Sequence, residues 1–227
     1  MRGRIDVCIG ERLFLAEFRG AKLMKVSAGE YSSTCLKACL GAGIERGLAV
    51  EIGPACAEMA LRGINPLSEL IALFADIEGS ENRWEKSANG WSIREIRSLE
   101  NAISMVDFAT VSGLMGTHAT DIQIPDFLIG LCLHRTRSQR VVFEMSIQGG
   151  KWLSLAADSV KLFELAKTGK ISLRCDPNAS IPELQDITAI DVSTDDWESL
   201  SPWTYKTLVP ADHASRADAG AGNTDND

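Results

Sequence analysis

The chain has 227 residues, 45% of them hydrophobic, and its formal net charge at pH 7 is −8. This length allows one domain or two small ones, and the apolar share is ample for a packed core. No apolar run reaches the roughly 18 residues of a membrane-spanning helix, charges interrupt the first apolar stretch as they do not in a signal peptide, and the acidic balance argues against nucleic acid as a partner.

The negative charge is concentrated near the C-terminus. Residues 176–227 hold eleven acidic and two basic side chains, a net charge of −9, whereas the residues before them are nearly neutral. Prolines recur through this stretch, and residues 211–227 have no apolar side chain larger than alanine. We therefore predict a globular body at 1–175, an acidic irregular arm at 176–210 and a disordered tail at 211–227, and we expect the body to fold without the arm.

The cysteines are scattered through apolar runs. There is no Cys-x-x-Cys pair, and no histidine stands at zinc-site spacing from a cysteine pair. The pattern predicts reduced, buried thiols in a cytoplasmic protein, with no metal or cofactor. The six are Cys8, Cys35, Cys39, Cys56, Cys132 and Cys175.

The first third of the chain reads as short strands with one helix. Alternating apolar residues predict strands at 4–9 and 12–18, with an extension at 23–26. Residues 33–42 form a predicted helix that a serine, Ser32 or Ser33, would cap.

A predicted hairpin and a clear helix come next. Residues 47–52 read as a strand that Gly53-Pro54 breaks, and 56–62 as its returning partner. Asn65 and Pro66 then suit the first positions of a helix. Its apolar side chains recur with helical spacing at Leu67, Leu70, Ile71, Phe74 and Ile77.

The strongest helix signal covers 92–112. Ser92 and Glu95 have the spacing of a capping box, and Gly113 or Gly116 would end the helix. Beyond it we predict strands at 127–133 and 140–147, separated by a charged turn.

The body closes with a short strand at 152–155, a helix at 156–166 and a strand at 171–175. The order does not alternate as in a doubly wound nucleotide fold. It predicts an α+β fold of mixed antiparallel strands with several amphipathic helices.

Two clusters are candidate partner-binding sites. Arg135, Arg137 and Arg140 fall in and beside the predicted charged turn and could bind phosphate, an acidic peptide or this chain's own acidic arm; a solvated turn is the alternative. A second set of candidates is aromatic and lies in the acidic arm: Trp197, Trp203 and Tyr205. These are either anchors that dock on a partner or side chains that fold back onto the body.

Nothing in the sequence predicts catalysis. Ser112, His118 and Asp121 are close in sequence, but no nucleophile motif surrounds the serine. The glycines between residues 41 and 53 do not follow a phosphate-binding pattern. We predict a non-enzymatic protein without catalytic, cofactor or metal residues.

The order of elements over residues 45–170 resembles the N-terminal domain of the YscQ/HrcQ family, the cytoplasmic ring proteins of type III secretion systems. The matching features are residues 47–52, Trp91 ahead of the long helix, Ser112-Gly113, the strand pair at 128–133 and 141–147, and Trp152 to Leu155 before a helix. The surface-presentation domain that usually ends these proteins is absent, as in bacteria that encode the N-terminal piece as a separate chain.

The resemblance implies a scaffold that recruits secretion cargo and the export ATPase apparatus, with ring, ATPase or stalk components as partners and no catalytic residues. A different class of function fits the same sequence features. A small cytoplasmic binding protein, such as an immunity protein or a secretion chaperone, would use an acidic surface to mask a basic partner.

Overall fold

The computed structural model describes residues 22–74, 83–88, 90–165, 169–181 and 188–207. Within them the chain has the predicted α+β fold. The predicted strands at 4–9 and 12–18, the tail at 211–227 and Cys8 lie outside the described residues.

Eight helices and eight strands follow one another along the described chain. The first four are β1 (Leu23–Ser27), α1 (Ala28–Gly41), α2 (Arg46–Ala60) and α3 (Leu67–Phe74). The next eight are β2 (Glu85–Ser87), β3 (Gly90–Ile96), α4 (Leu99–Ser112), β4 (Thr117–Ile122), α5 (Pro125–Gln139), β5 (Val142–Ile147), β6 (Leu153–Ser154) and α6 (Leu155–Leu165). The last four are β7 (Ile171–Asp176), β8 (Ala189–Ser193), α7 (Thr194–Glu198) and α8 (Ser201–Thr204). Short 3-10 turns occupy Gly113–Met115 and Tyr205–Thr207.

The main sheet has six strands in the order β2-β3-β4-β7-β5-β6. β3 and β4 are parallel and are joined by α4, whereas every other neighbouring pair is antiparallel. Apolar residues in register, such as Ile93 opposite Ala119 and Met145 opposite Leu173, are buried. Helices α4, α5 and α6 contact these strands, so the core lies between the sheet and the helices.

Close approach of three helices builds the second part of the core. A Cβ added at Gly53 of α2 would lie 2.6 Å from the Ser32 carbonyl oxygen on α1, and one added at Gly130 of α5 would lie 2.8 Å from Met59 Cγ on α2. A Cβ at Gly53 would therefore force the α1 backbone to move, and one at Gly130 would force the Met59 side chain to move. The five cysteines of the described residues are buried in this core and its neighbourhood, as predicted, and burial raises the pKa of the Cys56 and Cys132 thiols.

Several predicted elements are confirmed. The helix opened by Asn65 is α3, and Asn65 Oδ1 accepts a hydrogen bond from the Leu67 N–H at 3.1 Å. β5, β6, α6 and β7 match the four elements predicted between residues 140 and 175 to within a few residues. The predicted helix at 33–42 is α1, although it begins earlier because Ser27 caps it by accepting from Glu30 N.

The hairpin predicted at 47–52 and 56–62 is wrong, because these residues form α2 with Pro54 inside it. α2 packs between α1 and α5, so apolar residues cover most of its surface and the short runs mimic strands. Pro54 removes one backbone hydrogen bond, to the carbonyl of Val50, whose side chain is half exposed.

The strand predicted at 127–133 and the charged turn after it are also wrong. Both belong to α5, whose residues from Phe127 to Leu133 are all buried. A helix buried on every side loses the polar stripe that would identify it. Arg140 ends the helix with a φ of 56°.

The start predicted for the long helix is wrong, whereas its end at Gly113 is confirmed. Ser92 and Glu95 lie in β3, and the cap is Ser98, whose Oγ accepts from Asn101 N at 3.2 Å. The apolar pattern of β3, an amphipathic strand, was read as part of the helix that follows it.

Residues 188–207, assigned from sequence to an irregular arm, form defined elements. β8 pairs antiparallel with β1, with Val26 opposite Ile190 and Met24 opposite Val192. α7 and α8 then return against α3 and α1. Between the acidic side chains of this segment stand three buried apolar residues, which hold it on the body: Ile190, Val192 and Leu200. Among the described helices, none has both the length and the apolar character that crossing a membrane requires.

Candidate protein-binding site

The predicted arginine cluster lies at the end of α5 and faces carboxylates of neighbouring helices. Arg135 lies 3.0 Å from Glu51 of α2 and 3.0 Å from Asp107 of α4, and Arg137 Nε donates to Glu58 at 2.5 Å. The acidic groups that meet these arginines are thus on helices of the body. Arg140 is exposed at the helix end.

His134 shares this helix–helix boundary. Its Nε2 lies 3.7 Å from Glu51 Oε2, and burial lowers the pKa of the imidazole. The ring therefore favours its neutral form near pH 7. The contacts of His134 and of the arginines place the charged end of α5 against α2 and α4.

The aromatic residues predicted as anchors divide into two groups. Trp197 packs on Tyr31 with ring centroids 5.5 Å apart, and Trp203 meets Phe74 edge-on at 5.1 Å. Tyr205 is 68% exposed. Of the two alternatives, the tryptophans fold back onto the body and Tyr205 alone of the three faces solvent.

Of the residues noted for catalysis, His118 and Asp121 lie on β4 and Ser112 lies at the end of α4. His118 Nδ1 lies 2.8 Å from Ser172 Oγ, across the pairing of β4 with β7. Asp121 accepts from Gln123 Nε2, and Ser112 is the last residue of α4. The structure thus gives His118 a serine neighbour that sequence spacing did not indicate.

The end of α4 carries a group of exposed apolar side chains that sequence reasoning missed. Val111 is 84% exposed, Leu114 61% and Met115 62%. We call these three residues the α4 tip. Val111 lies off the buried stripe of α4, and Leu114 and Met115 lie in the 3-10 turn after the helix. This departure from the helical pattern is the signal by which the sequence could have revealed them.

Glycines on either side of Leu114 and Met115 hold the α4 tip in place. Gly113 and Gly116 have φ angles of 57° and 70°, which other residues rarely adopt. A Cβ at Gly116 would lie 2.5 Å from the Leu173 carbonyl oxygen, so the backbone presses on β7. The turn is fixed to the sheet while its two large side chains stay in solvent.

Half-buried aromatic rings extend this surface. Trp91 stacks on Phe108 with centroids 4.5 Å apart, and Trp84 meets the same ring edge-on at 4.9 Å. We call these three residues the aromatic stack. Phe108 is one helical turn before Val111, so the stack and the α4 tip are neighbours.

Lys86 adds a positive charge beside the aromatic stack. The Lys86 ammonium lies 5.6 Å from the Trp91 ring, and Lys86 is opposite Trp91 in the β2–β3 register. Large exposed apolar side chains grouped on one face mark sites of interaction, and methionine adapts well to varied partners. The α4 tip, the aromatic stack and Lys86 therefore form the candidate site.

Residues 26–110, less than half of the chain, match the model of a family described as a protein of unknown function (DUF3726). The match includes the aromatic stack and ends just before the α4 tip. No curated protein and no solved structure is significantly similar to the chain.

Proposed function

We propose that this chain is a non-enzymatic scaffold or adaptor of the cytoplasm and that the α4 tip is its docking site. The observation that carries the proposal is the exposure of three large apolar side chains within five residues. Burying each of them under a partner would contribute about 1 to 2 kcal/mol to the free energy of binding, because these side chains are not buried by folding.

The occupant is a partner protein with an apolar groove and a carboxylate at its rim. A side chain that is 84% exposed, as Val111 is, protrudes and fits a concave surface. Lys86 supplies a positive charge on the same face, which a carboxylate would complement.

The assembly we propose for this adaptor is a type III secretion apparatus, with ring, ATPase or stalk components as partners. The support is the part of the resemblance to the YscQ/HrcQ N-terminal domain that lies in Trp91, Ser112-Gly113 and residues 141–155. The residues 47–52 and 128–133, which the resemblance took as strands, are helical. An adaptor in such a ring needs a fixed surface that several subunits can contact, and the α4 tip is held to the sheet by its glycines.

Site-specific photo-crosslinking tests the docking site. Benzoylphenylalanine replaces Leu114 in one variant and Tyr205 in another, since both positions are exposed and lie on different elements. Each variant is crosslinked in its native cytoplasm, and captured proteins are identified by mass spectrometry. A captured protein is then purified and titrated against the unmodified chain and a Leu114→Asp/Met115→Asp variant.

We expect one protein to crosslink from position 114 and not from 205, and its affinity to fall about tenfold or more in the double variant. Secretion-ring, ATPase or stalk components would support the assembly. One small basic protein in equal amounts would favour the immunity or chaperone class instead. A crosslink to a second copy of this chain, or an unchanged affinity in the double variant, would refute the docking site.

A further inference from the structure

A groove of about 510 Å³ opens at the carboxyl ends of the parallel strands β3 and β4. Its wall includes Glu69, Ala72, Leu73, Glu95, Arg97, Gln123 and Ile124. This volume is typical of small-molecule sites, and ligands of α/β sheets bind outside the carboxyl ends of parallel strands. The groove is separate from the α4 tip, which follows the opposite end of α4.

The walls combine apolar surface with charges that are already paired. Arg97 is hydrogen-bonded to Glu95, and Gln123 Nε2 donates to Asp121 at 3.0 Å. Ala72, Leu73 and Ile124 supply the apolar part. The charge of Arg97 is thus offset within the groove.

Glu69 is the carboxyl group of the groove for which the described residues provide no ion pair. Burial raises its pKa to about 7, and the Asp126 carboxylate adds to the effect. Glu69 therefore lies in a negative, partly desolvated environment that a bound cation would relieve.

We propose that this groove binds a small organic cation, a primary amine with a short apolar body. The ammonium group pairs with the Glu69 carboxylate, and the apolar body lies against Ala72, Leu73 and Ile124. Glu95 and Asp126 favour positive charge in the groove, and Arg97, paired with Glu95, repels a cation only weakly. This inference does not depend on the proposed adaptor function.

Binding is coupled to the ionisation of Glu69. The titratable and charged groups around it are Asp126 on α5, the Cys56 thiol on α2, and Glu95 and Arg97 at the end of β3. A cation binds the ionised carboxylate, so affinity decreases as the pH falls through about 7. Between pH 8 and pH 6 the expected loss is about tenfold.

The test uses pentylammonium as the probe, with pentanol and pentanoate as neutral and anionic controls of the same length. The full chain is titrated by NMR at pH 8 and pH 6, beside Glu69→Gln and an Ala72→Phe variant that places a larger side chain in the groove. Ala72 is exposed on α3, so the second variant should fold. Circular dichroism confirms the fold of each variant.

We expect pentylammonium to bind more tightly than either control, about tenfold more weakly at pH 6, and to be lost in both variants. Absence of amine binding at pH 8, equal binding of pentanol, or binding that survives in folded Glu69→Gln would overturn the proposal.

Discussion

Among the charged residues of the described structure, Glu58 is the one that is buried. It is 5% exposed and lies between α2 and α5. Arg62 approaches one carboxylate oxygen at 2.6 Å and Arg137 the other at 2.5 Å. A buried carboxylate is tolerated only when such partners offset the loss of hydration.

Replacing Glu58 with glutamine leaves both guanidinium groups without their shared counter-charge. We expect Glu58→Gln to lower the free energy of unfolding by about 3 kcal/mol. Urea denaturation followed by circular dichroism measures the change. The control is Lys25→Gln, because the Lys25–Asp191 pair is exposed at 4.0 Å and should contribute less than about 1 kcal/mol. Equal effects in the two variants would show that Glu58 is not buried as described.

A substitution at Gly41 tests how closely the C-terminal helix α8 packs on α1, because it adds one atom at their contact. A Cβ there would lie 1.8 Å from the Trp203 carbonyl oxygen. We expect Gly41→Ala to destabilise the protein by about 1 to 3 kcal/mol, since backbone must move. The control is Gly47→Ala in α2, where nothing lies within 4 Å and the helix should gain about 0.5 to 1 kcal/mol. A neutral Gly41→Ala in thermal melts would contradict the contact.

At the scale of elements, the sequence pattern predicted α3, which has one exposed face, and failed for α2 and α5, which are buried on most sides. α3 shows apolar residues at helical spacing because its other side meets solvent. α2 and α5 lie in the interior, so their continuous apolar runs are equally typical of strands. Only the length of the apolar run distinguishes a buried helix from a strand. In α2 Pro54 interrupts the run, so that each part of it is as short as a strand.

The segment formed by β8, α7 and α8 is predicted to stabilise the whole described fold. Ending the chain at residue 187 exposes the partners of Ile190, Val192 and Leu200, each worth about 1.5 to 3 kcal/mol. We therefore expect a loss of at least about 4 kcal/mol relative to a chain ending at 207, which retains this packing. Differential scanning calorimetry compares the two. Identical melting temperatures would restore the sequence-based expectation that the body folds without this segment.

At the scale of the whole molecule, the uneven charge has a different meaning from the one that composition suggested. Part of the acidic stretch lies on the folded surface, where Asp196 accepts from Asn65 Nδ2 at 2.8 Å and Asp191 faces Lys25. Acidity alone therefore does not mark an irregular arm here. A few buried side chains decide whether such a segment packs.

The same scale explains why the candidate site was not predicted. The sequence indicated the aromatic residues of 188–207, because tryptophan in an acidic context is typical of a binding motif. Both tryptophans pack on the body, and the exposed apolar surface instead comes from the end of α4 and the 3-10 turn after it. The exposure of a side chain depends on which elements surround it. Because α5 and the C-terminal segment were predicted wrongly, the exposure of the α4 tip could not be predicted.

The measurement that tests the central claim most directly is the affinity of the protein captured at position 114 for three matched chains. These are the unmodified chain and two variants altered only at exposed positions, Leu114→Asp/Met115→Asp and Tyr205→Ala. Docking at the α4 tip predicts a loss of about tenfold or more, near 1.4 kcal/mol, for the double variant and a change below about twofold for Tyr205→Ala. Full affinity in the double variant together with a loss in Tyr205→Ala would contradict the account and place the partner on the C-terminal segment.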